Sequence, residues 1–391
     1  MTDWLTPRVS PVRLRDRESL RARAFDRDSV VRRLDWLLAL TVVALSLIGA
    51  LLVWSATRPS AGDAFLKRHL VNLAIGLVLG SVAALVDYRM VRAYAPVVYV
   101  ASCLGLIAVL SPLGSTIKGA KSWIVVGGGF QVQPSEFAKV ALIVGMAMIL
   151  GEKRDNEADP RDVDVVLVLA LAAVPMALIL LQPDFGTAMV LVFTILGVIA
   201  VSGAPSRWVV GLVLCGVTAG WGILHFDMLK GYQEDRLTSF AKPGSDLGKT
   251  GYNTNQAKIA IGSGGMWGTG LFKGTQTRGE YVPEQQTDFV FTVAGEELGF
   301  AGSGTILLML AFVIWRGLRI AANAGDPFGA LVAAGVVSWF AFQAFVNVGM
   351  TMGIMPVTGL PLMFVSYGGS SMFANMMAIG LLQNVHMRSH D

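Results

Sequence analysis

Long apolar runs alternate with short polar connections from residue 36 to the end of the chain. An α-helix needs about 20 apolar residues to cross the hydrocarbon core of a bilayer, and most of the runs approach that length. The pattern therefore predicts an all-α polytopic membrane protein with about ten transmembrane helices. The predicted spans lie at about 36–56, 70–87, 94–111, 135–151, 163–181, 186–203, 207–225, 293–316, 328–350 and 369–386.

Positive charge in the connections predicts how these helices are oriented. Residues 1–35 form a flexible Arg-rich tail with nine Arg against six acidic residues, and basic segments of this kind stay in the cytoplasm. An even number of spans then puts both termini in the cytoplasm, with 36–391 as a single transmembrane domain. Most short connections agree with this orientation, and three cations of the first outer loop go against it: Arg58, Lys67 and Arg68.

The composition supports a membrane protein and gives no sign of a nucleic-acid partner, a disulfide or a cysteine metal site. Hydrophobic residues make up 54% of the chain and charged residues 15%, whereas a soluble domain carries about 25% charged residues. The net charge of +4 is too small to indicate a nucleic-acid partner. Cys103 and Cys215 both lie within apolar runs, which is typical of buried small side chains rather than of a disulfide or a metal pair.

Residues 226–292, between the seventh and eighth spans, form a connection of unusual length on the predicted outer side. A long connection without apolar periodicity is usually functional or disordered, and the Gly, Lys and Thr content here favours function. Asp288 follows Thr287, which we expect to cap the next helix and so to place Asp288 in its first turn. The helix dipole would keep that carboxylate ionised, able to accept a proton or to bind a divalent cation.

The same connection holds glycines and cations that could bind an anion. The N–H groups of Gly262–Gly265 and Gly268–Gly270 could surround an oxyanion. Glycine-rich segments also simply turn, and no Walker-type spacing is present, so both interpretations stay open. The residues that could contact a phosphate group are Arg236, Lys258, Ser263 and Lys273.

A second polar outer segment, residues 112–139, adds two pairs of candidates. Lys118 and Lys121 could face an anionic head group. Glu136 and Lys139 are three residues apart at the start of a helix, so they share a face near the membrane edge. Ionisable residues at that depth are paired or line a cavity, and a structural ion pair and a cavity border are both compatible with the pattern.

Two further outer segments complete the candidate site. Residues 355–371 are apolar but broken by two prolines and several glycines, and such a backbone survives at this depth only where protein or a water-filled cavity satisfies it. We therefore expect Ser366 and Tyr367 to face the same cavity as Asp288. Asp184, in a tight turn between two spans, is expected to cap the following helix, with a direct catalytic part as the alternative.

Together these segments resemble the SEDS family (shape, elongation, division and sporulation), and within it the RodA branch more than the FtsW branch. The resemblance runs from about residue 85 to the end in the family's order. Ser122 departs from it, since the family often has Arg at that position. The matching stretches are KGAKSW at 118–123, QPSEFAK at 133–139, QPDFGT at 182–187, GYN…QAKIAIGSGG at 251–265, PEQQTDF at 283–289 and PVTGLP…SYGGSS at 356–371.

The resemblance implies a peptidoglycan glycosyltransferase of the bacterial cytoplasmic membrane, which polymerises lipid II into β-1,4 glycan strands at the outer face for cell elongation and rod shape. The expected partners are a class B penicillin-binding protein and other membrane proteins of the elongation complex, with no nucleic acid. The family's essential Asp matches Asp288, and its Glu–Lys pair matches Glu136 and Lys139. A divalent cation, Mg²⁺ or Mn²⁺, stays open as a cofactor that Asp288 could bind.

A lipid II flippase is the alternative from another functional class. A flippase needs polar groups along a path through the whole membrane, whereas the polar clusters of this chain are predicted at the outer face.

Overall fold

The computed structural model describes residues 33–117, 120–127, 130–152, 160–225 and 249–389, and the chain from Asp35 onward forms one compact unit. Helices occur at every predicted span. The elements are α1 (Trp36–Ala61), α2 (Ala64–Leu85), α3 (Tyr88–Leu110), β1 (Ser115–Ile117), β2 (Ala120–Gly127), β3 (Phe130–Val132), α4 (Pro134–Leu150), α5 (Asp162–Leu181), α6 (Phe185–Val201), α7 (Ser206–His225), α8 (Lys249–Ser263), α9 (Thr275–Arg278), α10 (Val290–Glu297), α11 (Gly299–Ala322), α12 (Pro327–Thr351) and α13 (Gly369–Arg388).

Among the described residues, six helices are long and apolar enough to cross a membrane: α1, α2, α3, α5, α11 and α12. Helix α6 is equally apolar in character but has only 17 residues. The prediction of an all-α polytopic membrane protein is confirmed. The number of crossings, the orientation and the location of the termini stay predictions, and the tail of residues 1–32 lies outside the described part of the chain.

A small antiparallel sheet follows α3, where the pattern predicted only a polar segment. Strand β1 pairs with β2, with Thr116 opposite Lys121, and β2 pairs with β3, with Val125 opposite Gln131. Two of the three strands have only three residues, which is too few to display the two-residue alternation that identifies a strand in a sequence.

The long connection and the span after it differ from the prediction. The connection contains helix α8, whose Asn- and Thr-rich sequence gives no apolar period, and the short helix α9. The predicted span 293–316 is divided into α10 and α11 at Gly299, where φ is +68°. A Cβ on Gly299 would lie 2.2 Å from the backbone nitrogen of Gly268, so only glycine fits this break.

Helix α12 occupies the centre of the bundle and is buried along most of its length, against α4, α6 and α11. Helices α2 and α13 approach each other closely through glycines. A Cβ on Gly380 would lie 2.2 Å from the carbonyl oxygen of Gly80, and a Cβ on Gly80 would lie 2.7 Å from that of Met376. Small residues at such contacts let two membrane helices pack backbone against backbone.

Candidate functional site

Asp288 lies in a turn that ends just before α10. The carbonyl oxygen of Glu284 accepts the N–H groups of Thr287, Asp288 and Phe289 at 3.1 to 3.3 Å, which closes the turn. The hydroxyl of Thr287 bonds to Glu284, and the N-cap position of α10 is Phe289. The expectation that Thr287 caps the helix and places Asp288 in its first turn is therefore wrong, because the chain makes one more turn before the helix begins at Val290.

The segment that follows α12 lies directly against the Asp288 turn. A Cβ on Gly359 would be 3.5 Å from Oδ2 of Asp288. The N–H of Tyr367 donates to the carbonyl oxygen of Gln286 at 2.9 Å. The structure thus brings residues 355–371 beside Asp288, as the pattern of prolines and glycines suggested.

Ser366 and Tyr367 have different surroundings within this segment. Ser366 is buried, and its hydroxyl oxygen accepts the N–H of Leu362 at 2.8 Å. That bond holds a local turn, so Ser366 has a structural contact. Tyr367 is half-buried, and its ring stands edge-on to Phe65 with the centroids 4.9 Å apart, so it links the segment to α2.

Helix α8 packs on the other side of the Asp288 turn through an apolar cluster. Phe289, the residue after Asp288, joins that cluster together with Ala257, Ala260, Val282 and Val357. The cluster fixes α8 against both the turn and the segment after α12.

Lys258, on the same helix, borders the segment after α12. A Cβ on Gly353 would lie 2.5 Å from the Lys258 amine nitrogen. Ser263 and Lys273 are exposed farther along the chain; the hydroxyl of Ser263 donates to the Ala260 carbonyl at 2.7 Å. Among these candidates, Lys258 is therefore the cation that the structure brings to the segment lying against Asp288.

The glycine-rich segment after α8 does not present its N–H groups as an anion site. The N–H groups of Thr269 and Gly270 donate to the carbonyl oxygens of Glu296 and Glu297, each at 3.0 Å. A Cβ on Gly268 would lie 2.2 Å from the Glu297 carbonyl oxygen. Of the two interpretations left open for Gly268–Gly270, the turn is the one observed, because these glycines serve the close packing of the segment against the end of α10.

Two buried carboxylates at the end of α10 were not among the predicted candidates. Glu296 accepts the N–H groups of Gln276 and Thr277 at 2.8 Å and the Thr277 hydroxyl at 2.7 Å. Glu297 accepts the Ser55 hydroxyl at 2.7 Å and the Gly274 N–H at 3.4 Å. Adjacent acids inside an otherwise apolar run are the signal that could have identified this pair.

Glu136 and Lys139 form a fully buried ion pair, with the Lys139 amine 2.9 Å from the Glu136 carboxylate. The same amine lies 3.3 Å from Oε1 of Gln343 and 4.5 Å from the ring centroid of Trp339. Of the two interpretations of this pair, the structural ion pair is the one observed, since burial on all sides leaves no open cavity border at either side chain.

Lys121 and Asp184 both serve helix ends. The amine of Lys121 donates to the Leu110 carbonyl at 3.0 Å, at the end of α3. Oδ1 of Asp184 accepts the N–H of Thr187 at 3.0 Å, so Asp184 caps α6 as expected. Two other candidates lie outside the described residues: Lys118 and Arg236.

The described residues contain no group of three or more His, Cys, Asp or Glu side chains that could enclose a metal ion. A single carboxylate such as Asp288 is still sufficient for Mg²⁺, which keeps several waters and takes further oxygens from substrate phosphates. A divalent cation at this site would therefore be held by Asp288 and the substrate together.

Comparison with known proteins identifies the relatives of this chain. The family model for cell cycle proteins of the FtsW, RodA and SpoVE type matches residues 32–391. The stage V sporulation protein E of Bacillus subtilis (strain 168) is 38% identical over 89% of this chain and 94% of that protein. The peptidoglycan glycosyltransferase MrdB of Escherichia coli (strain K12) is 36% identical over 90% of this chain and 93% of that protein.

Solved structures agree with the sequence comparison. A chain from a peptidoglycan synthase complex that coordinates polymerization and crosslinking has a TM-score of 0.77 and 31% identity, covering 92% of this chain and 99% of that one. The rod shape determining protein RodA of Thermus thermophilus has a TM-score of 0.68 and 30% identity, covering 92% and 98%. The chain belongs to the FtsW, RodA and SpoVE family of membrane proteins, the family that its motifs resemble.

Proposed function

We propose that this chain is a peptidoglycan glycosyltransferase that polymerises lipid II at the outer face of the cytoplasmic membrane, with Asp288 as general base. The relative MrdB, a peptidoglycan glycosyltransferase, is similar over nine tenths of the chain. The observation that carries the site assignment is the position of Oδ2 of Asp288, 3.5 Å from where a Cβ on Gly359 would lie. It puts a carboxylate where two non-helical segments meet at the end of the bundle.

In the proposed reaction two lipid-linked disaccharides bind side by side. Asp288 accepts the proton of the acceptor's 4-hydroxyl while that oxygen attacks the anomeric carbon of the donor. The bond from this carbon to the lipid pyrophosphate breaks, the pyrophosphate leaves, and a β-1,4 bond forms with inversion. Glycine at position 359 means that no side chain from this residue covers the Asp288 carboxylate.

The leaving pyrophosphate needs positive charge. Lys258 supplies it from α8, since its amine lies over Gly353 in the segment that also contacts Asp288. When bound, Mg²⁺ or Mn²⁺ would offset the same charge. The proposed cation requirement is tested by adding EDTA to the polymerisation assay and then restoring each ion in excess.

We further propose a class B penicillin-binding protein as partner and cell elongation as the process. The solved relative with the TM-score of 0.77 belongs to a peptidoglycan synthase complex. Relatives named stage V sporulation protein E and peptidoglycan glycosyltransferase MrdB are 38% and 36% identical, so overall identity does not select a process. The stretches MGIMP at 352–356 and SYGG at 366–369 resemble the RodA branch more than the FtsW branch, which favours elongation.

Purified protein in detergent, supplied with lipid II and the partner, tests the proposal. Detergent removes the two sides of a membrane, so glycan polymer can form only if the protein makes bonds. Polymer that depends on Asp288 supports a glycosyltransferase. Transport of lipid II in vesicles without any polymer in detergent would instead support the flippase.

A further inference from the structure

Helix α12 carries two buried amide side chains, Gln343 and Asn347, that both reach the non-helical segment after the helix. Their spacing of four residues places them on one face of α12, one turn apart. Both side chains have a relative exposure of 0%. Buried amides are costly unless their hydrogen bonds are made, so the partners of these two indicate what they are for.

Asn347 joins the Asp288 turn to the segment that faces it. Its Nδ2 donates to the carbonyl oxygen of Asp288 at 2.8 Å and to that of Leu360 at 2.7 Å. Both protons of the amide are thereby used. Leu360 follows Gly359, whose backbone lies against the Asp288 carboxylate, so one side chain sets the spacing between the carboxylate and the backbone beside it.

Gln343 makes the corresponding link to the buried ion pair. Its Nε2 donates to the carbonyl oxygen of Pro361 at 2.7 Å. Its Oε1 accepts from the Lys139 amine at 3.3 Å and from the Trp339 indole at 2.6 Å. Consecutive carbonyls, those of residues 360 and 361, are therefore held by consecutive turns of α12.

We propose that Asn347 is a positioning residue for Asp288, and that Gln343 links the Glu136–Lys139 pair to the backbone segment beside Asp288. The inference rests on the proposed role of Asp288 as general base. A base must lie within hydrogen-bond reach of the proton that it accepts, and a displacement of about 1 Å can cost about 100-fold in rate. Without Nδ2, the carbonyls of Asp288 and Leu360 lose their common donor, and the carboxylate is no longer held against residue 359.

The experiment compares Asn347→Leu with a matched control, Asn384→Leu. Leucine keeps the branched shape and the number of side-chain heavy atoms of asparagine and removes the donor, and the control carries the same increase in bulk. Asn384 is also buried, on α13, and its Nδ2 donates at 2.8 to 2.9 Å to three backbone carbonyls at the end of α2: those of Ala83, Ala84 and Val86. Its donor bonds are of the same kind, its Oδ1 also accepts from the Arg388 guanidinium, and none of these bonds goes to the Asp288 turn.

Steady-state polymerisation of lipid II is measured per folded protein, together with the melting temperature in detergent. We expect Asn347→Leu to lower kcat about 10- to 100-fold with KM within about twofold of the parent. Asn384→Leu should lose comparable thermal stability and keep its kcat within about twofold. A normal kcat in Asn347→Leu, or an equal loss of kcat in both variants, overturns the inference.

Gln343→Met keeps the question answerable if Asn347→Leu fails to fold. It should lower kcat by a smaller factor than Asn347→Leu, and a normal kcat would overturn the second half of the proposal. Asp288→Asn in the same assay distinguishes a failure of the proposed base from a failure of its proposed positioning by Asn347. An active Asp288→Asn overturns the base and its positioning together, whereas an inactive Asp288→Asn beside a fully active Asn347→Leu overturns the positioning alone.

Discussion

The N–H of Tyr367 donates to the carbonyl oxygen of Gln286 at 2.9 Å, and this bond joins two segments that are far apart in the chain. Neither segment is helical at that point, since α10 begins at Val290 and α13 at Gly369. Irregular backbone in a membrane protein must find its partners within the protein or in a water-filled cavity. The candidate site is thus built from two irregular segments that satisfy each other's backbone groups.

Asp288→Asn should lower the rate of lipid II polymerisation by about 100- to 10,000-fold, because an amide cannot accept the acceptor's proton. The side chains have the same shape, so the melting temperature should change little. The rate is read from glycan products separated on a gel.

Asp87→Asn is the control for that experiment. Asp87 is an exposed acid between α2 and α3 that accepts the Arg89 N–H at 2.8 Å, at the opposite end of α2 from Phe65, which packs on Tyr367. This variant should polymerise at the parental rate. Near-normal polymerisation by Asp288→Asn would remove Asp288 from the proposed mechanism.

Gly359→Ala should impair both stability and activity. The φ of Gly359 is +76°, where a side chain costs on the order of 1 kcal/mol, and the added methyl would lie 3.5 Å from Oδ2 of Asp288. We expect a lower melting temperature and a polymerisation rate that falls further than the loss of folded protein explains. Gly304→Ala in α11, where an added Cβ meets nothing within 4 Å, should be neutral in both assays.

An unchanged rate in folded Gly359→Ala would show that substrate does not approach Asp288 from that side. The measurement is therefore a test of the direction of approach as well as of strain.

The positions of the helices along the chain could be predicted from apolar runs, because each run alone must cover the hydrocarbon core. Helix α12 illustrates this, with the predicted 328–350 and the observed Pro327–Thr351 differing by one residue at each end. The hydrogen bonds that hold the irregular segments of the site could not be predicted in the same way. Gln343 and Asn347 are single amides within an apolar run, and their partners are backbone carbonyls, which a sequence does not display.

In the glycine-rich stretch, composition suggested a ligand site where the structure has a packed turn. Gly268 and Gly270 fit an anion-binding loop and a tightly packed turn equally well by composition. The backbone carbonyl oxygens that identify the packed turn, those of Glu296 and Glu297, lie beyond the intervening Asp288 turn in the sequence. Only the fold brings them together, with the Gly270 N–H on the Glu297 carbonyl at 3.0 Å.

Glu296 and Glu297 should respond differently to neutralisation. Glu296→Gln weakens an acceptor of several donors, among them the N–H and hydroxyl of Thr277, and should cost about 1.5–3 kcal/mol. Both hydrogen bonds of the Glu297 side chain, from the Ser55 hydroxyl at 2.7 Å and the Gly274 N–H at 3.4 Å, end on Oε1. Its buried Oε2 accepts none among the described residues, so Glu297→Gln removes a buried charge that has few partners and should cost less than Glu296→Gln.

We expect Glu297→Gln to match or exceed the parent's melting temperature, whereas Glu296→Gln falls below it. Thermal unfolding of both variants in detergent measures this. A Glu297→Gln variant that is as destabilised as Glu296→Gln would contradict the assigned difference between the two carboxyls.

Lys139→Met tests whether the buried ion pair acts through charge or through its hydrogen bond to Gln343, which holds the segment near Asp288. The substitution leaves the Glu136 carboxylate buried without its cation, 2.9 Å from where the amine lay, and should cost about 3–5 kcal/mol. Glu136→Gln combined with Lys139→Met removes both charges and should regain most of that stability. The Lys139 donor to Gln343 is absent from both variants, so the double variant should still polymerise lipid II more slowly than the parent. Full activity in the stable double variant would show that the pair serves folding alone and that Gln343 holds Pro361 without it.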